Sequence, residues 1–360
     1  MNTPLASQVV LLPNDHERKQ IFHWLKQVSS WTAWNRILTY YKAWADVAEE
    51  SVRIADSAGT LGKSNIPYDD YVFILDGLAH FEEGVERLRQ GDKRVFQYNA
   101  HGEFAMAGRA PHYWSTMIWG RGEMQIDYEN TPHWDDFERA LKQFNALSSE
   151  CAMVILESDE LHAAAPNIYG VWLQDNLPKM HFPQTLPNVP TPLEEVLIST
   201  GKTIPYSGIW EPVNSPKPKG FSLLKQPQPR GPFPITGCMN YLHADSPAPR
   251  AKQETETESL RADVTWRLLW RDNRYEDGTV PEEEHDYCFL QPEPATPAPA
   301  CTPSLTEKER LVIVERGQPA SHSGRWLPED DLVGAIEVQS GQPLPFRNGR
   351  SIRWTLAHRR

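Results

Sequence analysis

The sequence predicts an α+β protein, in which an irregular α-helical bundle (residues 1–182) precedes a loop-rich, Pro/Gly-rich β domain (residues 193–360) with a repeated Gly/Ser-Gly/Trp unit. Residues 1–180 hold 7 of the 31 prolines, and residues 181–360 hold the other 24. Proline removes a backbone N–H and clashes with the preceding turn, so only the first half can form long helices. The second half consists of short β-prone runs between Pro/Gly-rich stretches.

Apolar side chains at alternating spacings of three and four predict the helices. Such stripes run over residues 34–48, 71–88 and 134–147, and each defines one buried helical face. We expect further helices over 149–163 and 166–177. Such a set packs as an irregular antiparallel bundle.

The third stripe has a recognisable beginning, with Thr131 as the expected cap and Pro132 in the first turn. Between 94 and 129 the sequence indicates short extended pieces. The stretch "FPQTLPNVPTP" at 182–192 is typical of a domain linker.

A repeated unit organises the second half. "GKTIPYSGIW" (201–210) and "GQPASHSGRW" (317–326) align without gaps at Gly, Ser, Gly and Trp. "GQPLPFRNGRSIRW" (341–354) repeats Gly, Pro, Gly and Trp, and we expect 230–242 to be its counterpart. The two units are therefore expected over 201–242 and 317–356.

Physically, the repeat predicts a structural staple. Glycine permits the turn to reverse, and tryptophan fills the interior of a small sheet. The residues that carry the repeat are Gly201, Pro205, Ser207, Gly208, Trp210, Gly317, Ser323, Gly324, Trp326, Gly341, Pro345, Gly349 and Trp354.

Charge limits the classes of partner. The formal net charge is −12, of which residues 1–180 carry −9 and residues 181–360 carry −3. An acidic chain repels nucleic acid and anionic membranes and favours basic partners. The N-terminus has no basic start, and the four cysteines have neither disulfide-framework nor zinc spacing. We therefore expect a reduced, cytoplasmic chain.

Catalytic motifs are weak in this sequence. "AGTLGKS" (58–64) ends like a phosphate-binding loop, but its glycines enclose two residues instead of four, so a helix-ending glycine is the favoured interpretation. "HADS" (243–246) and "EEEHD" (282–286) mix histidine with carboxylates, and "PEEEHDY" reads as a solvated loop. We predict no catalytic, cofactor-binding or metal-binding residues. A metal-dependent hydrolase built on these two clusters remains the alternative hypothesis.

The motif Gly-x-x-x-Pro-x-Ser-Gly-x-Trp, followed by a second Gly/Pro turn and Trp, resembles bacterial polymorphic-toxin immunity proteins of types 71 and 72. Ser321 departs from the pattern, since it stands where proline is expected. The resemblance implies a non-enzymatic, cofactor-free inhibitor. Such a protein binds a cognate secreted toxin stoichiometrically, here a type VI-delivered nuclease with a basic nuclease domain. A secretion adaptor that loads the effector is the other alternative.

For the partner-binding face we predict the acidic helical half. A nuclease needs a basic cleft for phosphates, and a carboxylate-rich face can occupy or flank that cleft. The predicted contact residues are Asp69, Asp70, Glu82, Glu83, Glu86, Asp135 and Asp136. The Pro-rich loops at 212–234 and 291–303 are rival contact regions.

Overall fold

The computed structural model describes residues 9–98, 102–120, 125–158, 160, 163–191, 196–215, 231–255, 257–289, 313–315, 318–321, 323–328, 335–345 and 353–359. The chain divides into two compact units, residues 1–293 and 294–360. The helices and the first sheet thus share one unit. The boundary predicted between residues 182 and 193 concerns domains that fold separately, and it stays a prediction.

Helices precede strands, as predicted, so the α+β class is confirmed. The helices of the described residues are α1 (Asp15–Val28), α2 (Trp31–Ser57), α3 (Tyr68–Arg89), α4 (Glu103–Ala107), α5 (Arg109–Ser115), α6 (Trp134–Ile155) and α7 (Val171–Asn176). A π-helical turn, Thr116–Gly120, continues α5.

Helix α2 packs against both α3 and α6. Its predicted stripe is buried throughout, and the stripe of α6 is buried likewise. Asn14 begins α1 with a capping box, and Ser30 caps α2 by accepting from the Ala33 N–H. Gly59, just past α2, has φ +72, which confirms the helix-ending interpretation of "AGTLGKS".

Several local predictions were wrong. Helix α6 begins after His133, which lies in the left-handed region (φ 58), so Thr131 is not its cap. The helix expected over 149–163 is the end of α6, and the one expected over 166–177 is reduced to α7. Within 94–129, where short extended pieces were expected, the described residues 94–96, 103–107 and 109–120 are helical, because their apolar side chains pack into the bundle. Residues 99–101 and 121–124 of that stretch lie outside the described residues.

The first sheet belongs to the first unit and has the strand order β1-β6-β2-β3. Its strands are β1 (Leu197–Ser199), β2 (Gly208–Val213), β3 (Asn240–Leu242) and β6 (Thr265–Arg271). The hairpin β4 (Ala251–Glu254) and β5 (Ser259–Ala262) is inserted between β3 and β6. All pairings within the sheet are antiparallel.

The second unit contains a sheet of the same design, with the order β7-β10-β8-β9. Its strands are β7 (Ile313–Glu315), β8 (Gly324–Pro328), β9 (Ile336–Val338) and β10 (Arg353–Arg359). Within each set, the first strand pairs with the fourth, the fourth with the second and the second with the third. The register also agrees, because Trp210 faces Leu268 and Trp326 faces Leu356.

The repeated residues form equivalent contacts in both sheets. The hydroxyl of Ser207 accepts from the Ala244 N–H at 3.0 Å, and that of Ser323 accepts from the Ser340 N–H at 2.9 Å. Trp210 and Trp326 are completely buried. The Ser-Gly-x-Trp motif therefore closes a turn and fills a small core. Gly317 and Gly349 lie outside the described residues.

The counterpart of 341–354 was predicted wrongly. Trp354 donates to the Pro345 carbonyl at 3.2 Å, and Trp266 donates to the Pro249 carbonyl at 2.8 Å. Gly341 and Asp245 also correspond, because both have a positive φ, of 86° and 67°. In the first unit, the counterpart of 341–354 is thus the stretch 245–266. The β4–β5 hairpin is inserted between its turn and Trp266, so the number of residues between turn and tryptophan differs and the repeat is not visible in the sequence.

Candidate functional site

The structure brings four of the predicted carboxylates to one end of the helical bundle. Asp69 and Asp70 lie in the first turn of α3, and Asp135 and Asp136 lie in the first turn of α6. Asp69 and Asp135 are exposed and the other two are half-buried. Burial raises the pKa of Asp70, which accepts a hydrogen bond from the Tyr113 hydroxyl at 3.4 Å.

A side-chain clasp holds the two helix starts together. The Asn65 N–H donates to the Thr131 hydroxyl at 2.8 Å, and the Asp127 N–H donates to the Asn65 side-chain oxygen at 2.7 Å. Thr131, predicted as a helix cap, instead joins the segment before α6 to the segment before α3. The carboxylates are therefore positioned by the first turns of α3 and α6, and these hydrogen bonds hold the two helix starts next to each other.

Exposed aromatic side chains lie in the segments next to these carboxylates. Tyr113 is 36% exposed, Trp119 44% and Tyr128 64%. The Trp119 indole donates to Glu138 on α6 at 3.4 Å. The sequence analysis did not select these aromatics as contact residues. They could have been found because all three lie outside the apolar stripes that predict buried helix faces.

The other three predicted residues lie farther along α3. Glu82, Glu83 and Glu86 follow Asp70 by three to five turns, which at 1.5 Å per residue is about 20 Å. Glu82 pairs with Lys42 at 2.6 Å, and Glu86 accepts from Gln90 at 2.8 Å. The predicted face is thus two separate acidic groups.

One further acidic group on α2 was not predicted. Burial, with the neighbouring charges of Asp46 and Glu50, raises the pKa of Glu49 to about 7. The run "DVAEE" contains this group, but its half-buried position depends on how α2 packs.

A cleft of about 1320 Å³ lies within the first unit, between α4–α6 and the first sheet. Tyr98 and Met153 on its lining are exposed, and Arg109 and Arg261 add positive charge. This cleft is the rival location for a bound segment.

The two His/carboxylate clusters are used structurally. His243 is 6% exposed and Glu284 2%. In "PEEEHDY", predicted to be a solvated loop, Glu282, Glu283, His285 and Asp286 are exposed, but Glu284 and Tyr287 are buried. Glu284 accepts from the Thr32 N–H at 3.1 Å and its hydroxyl at 2.7 Å, at the start of α2. Among the described residues, no group of three His, Cys, Asp or Glu side chains is arranged to hold a metal ion.

Two family models match the chain. The model described as Immunity protein 71 matches residues 12–166, and the model described as Immunity protein 72 matches residues 190–288. Together they cover α1 to α6 and the whole first sheet. No curated protein and no solved structure matches the chain.

The chain belongs to the immunity protein 71/72 type.

Proteins of these families neutralise a cognate toxin and are typically inhibitors without catalytic activity, so a toxin is the partner this immunity protein is expected to bind. No helix in the described part of the chain is long and apolar enough to cross a membrane. Cys151, Cys238 and Cys288 have free thiols.

A buried network joins the two matched ranges of the immunity protein. Arg274 pairs with Asp272 at 2.7 Å and donates to the Lys26 carbonyl at 2.8 Å and the Ser29 hydroxyl at 2.7 Å. Burial opposes ionisation of Asp272, but the Arg274 charge beside it lowers the pKa of that carboxyl below its usual range. The corner between α1 and α2 is thereby fixed to the residues that follow β6.

Proposed function

We propose that this immunity protein neutralises a type VI-delivered nuclease toxin by stoichiometric binding in the cytoplasm. The observation that carries the proposal is the acidic character of the first compact unit, which contains both family-matched ranges. Residues 1–293 hold 27 Lys+Arg and 41 Asp+Glu, a formal charge of −14, whereas residues 294–360 hold 9 and 7. A nuclease must present positive charge to phosphates, so its substrate cleft attracts such a surface.

Charge complementarity of this kind speeds encounter and selects the partner. The acidic group at the starts of α3 and α6 supports the proposal because it is held on rigid helices. A preorganised surface loses little conformational entropy when it binds, which favours high affinity.

Co-expression with the toxin domain encoded next to this chain tests the function. We expect restored growth and a complex that co-purifies. In vitro, nuclease activity should fall linearly and vanish at one equivalent of immunity protein. A catalytically inactive toxin domain that still forms the complex is the matched control for binding without toxicity.

The other outcomes separate the alternatives. A stable complex without rescue of growth would indicate an adaptor that loads the effector. If neither rescue nor binding occurs, the proposal is wrong, and the metal content and hydrolase activity of the purified protein become the measurements of interest.

A further inference from the structure

We propose that the toxin docks on the end patch, defined as Asp69, Asp70, Tyr113, Trp119, Tyr128, Asp135 and Asp136, and that a basic, arginine-containing loop of the toxin is what binds there. The inference rests on the proposed function and names the surface that performs it. The second acidic group, in the C-terminal half of α3, is excluded from the contact.

Exposed aromatic area is the first argument. Three aromatic side chains at one end of a helical bundle leave apolar surface in water, and tyrosine and tryptophan are enriched among residues that dominate binding energy. The described residues 76–89 of α3 have no exposed aromatic side chain. Of the two acidic groups that contain the predicted contact residues, the end patch is the one that combines exposed aromatic area with carboxylates.

Backbone geometry is the second argument. The π-helical turn Thr116–Gly120 is wider than an α-helical turn, and it carries Trp119. Such turns are rare and frequently occur at functional sites. His133, with φ 58, is a second unusual backbone position immediately before α6. Both features place side chains of the patch.

Charge identifies the occupant. Segments 61–73 and 125–139 contain the carboxylates Asp69, Asp70, Asp127, Glu129, Asp135, Asp136 and Glu138 against the cations Lys63 and Arg139. A guanidinium can stack on tryptophan or tyrosine while it donates two hydrogen bonds to a carboxylate. Within the patch Asp136 pairs with Arg139 at 2.8 Å, and in the C-terminal half of α3 Glu82 pairs with Lys42 at 2.6 Å. Asp69 and Asp135 are the exposed carboxylates of the patch. An arginine-containing loop therefore fits the end patch best.

The test compares two variants of equal charge change. D69N/D70N/D135N neutralises three carboxylates of the patch, and E82Q/E83Q/E86Q neutralises three in the C-terminal half of α3. Kd for the purified toxin domain is measured at low and at physiological salt, with the melting temperature of each variant as a check on folding. We expect the patch variant to weaken binding by about 30-fold and the α3 variant by no more than about twofold.

Single substitutions of the aromatic side chains provide an independent test of the end patch. Trp119→Ala should weaken binding by about 30-fold and Tyr128→Ala by about tenfold, whereas Met153→Ala at the cleft should leave Kd within about twofold. Toxin binding should also protect amides of 109–120 and 125–139 from hydrogen exchange, and leave those of 76–89 unchanged.

Four results are decisive. Wild-type affinity in both the triple patch variant and Trp119→Ala would overturn the end patch while toxin binding itself stands. An equal loss in the two triple variants, or a loss confined to Met153→Ala, would also overturn it. If the wild-type protein does not bind the toxin, the proposed function fails and this inference fails with it.

Discussion

Glu49 is a half-buried carboxyl on α2, with a pKa raised to about 7 by burial and by the charges of Asp46 and Glu50. A carboxyl whose pKa is raised on folding binds its proton more tightly in the folded state. The contribution of Glu49 to stability is therefore most favourable at acidic pH, falls as pH rises from the unfolded value of about 4.5 to about 7, and stays reduced above that.

Glu49→Gln should consequently stabilise the protein at pH 8. We expect a gain of about 1 kcal/mol in the free energy of unfolding, after discounting the shift because this side chain is partly exposed. Denaturant unfolding at pH 4.5 and pH 8 measures it, and the gain should disappear at pH 4.5. Glu83→Gln, at an exposed position of α3, is the control. An equal effect of both variants at pH 8 would contradict the assignment to burial.

At the scale of elements, the two four-stranded sheets have the same order, register and motif contacts. Each has a Ser-Gly-x-Trp strand whose tryptophan is completely buried, in a core that contains a second buried tryptophan, Trp266 or Trp354. Among the described residues of the second unit, the other buried members of the Trp326 core are Ala320, Val338 and Leu344, which are smaller than the two tryptophans. Most of that core's burial therefore depends on two residues.

Trp326→Ala should destabilise the second sheet by about 3–5 kcal/mol, enough to unfold an element of this size. Hydrogen exchange is the measurement, and residues 324–328 and 353–359 should lose protection. Trp210→Ala, at the equivalent position, should act on β2, β3 and β6 instead. Loss of toxin binding by either variant with its strands still protected would mean that the tryptophan is a contact residue.

The sequence predicted elements best where their burial is local. The stripe over 34–48 identified α2, since residues three and four apart share one face, and Ser-Gly-x-Trp identified the paired strands. It could not show that Glu284 is buried, because the partner Thr32 lies 252 residues away. It also could not separate Asp69 and Asp135 from Glu82 and Glu86, which differ in tertiary position and not in local pattern.

At the scale of the molecule, the buried charges decide which parts unfold together. Arg18 and Arg267 both pair with the buried Glu211, at 2.6 and 2.9 Å. The Tyr275 hydroxyl accepts from the Trp31 N–H at 2.7 Å and contacts Glu284. Separating the helices from the first sheet would leave several of these groups unpaired, which is strongly unfavourable in a protein interior.

We therefore expect the helices and the first sheet to unfold as one cooperative unit, with the Asp272–Arg274 pair at its centre. Arg274→Ala leaves Asp272 buried without its main partner, and should reduce stability by about 3–5 kcal/mol. Native-state hydrogen exchange in increasing denaturant tests the cooperativity, since amides of α2 and of β2 and β6 should share one opening free energy and fall together in the variant. Arg271→Ala, an exposed arginine three residues earlier, should change that free energy by no more than about 0.5 kcal/mol. A different result would be that α2 keeps its protection after the strands have lost theirs. The linker at 182–192 would then be a true boundary between two folding domains. The buried network would in that case be a contact between these domains that does not couple their stabilities.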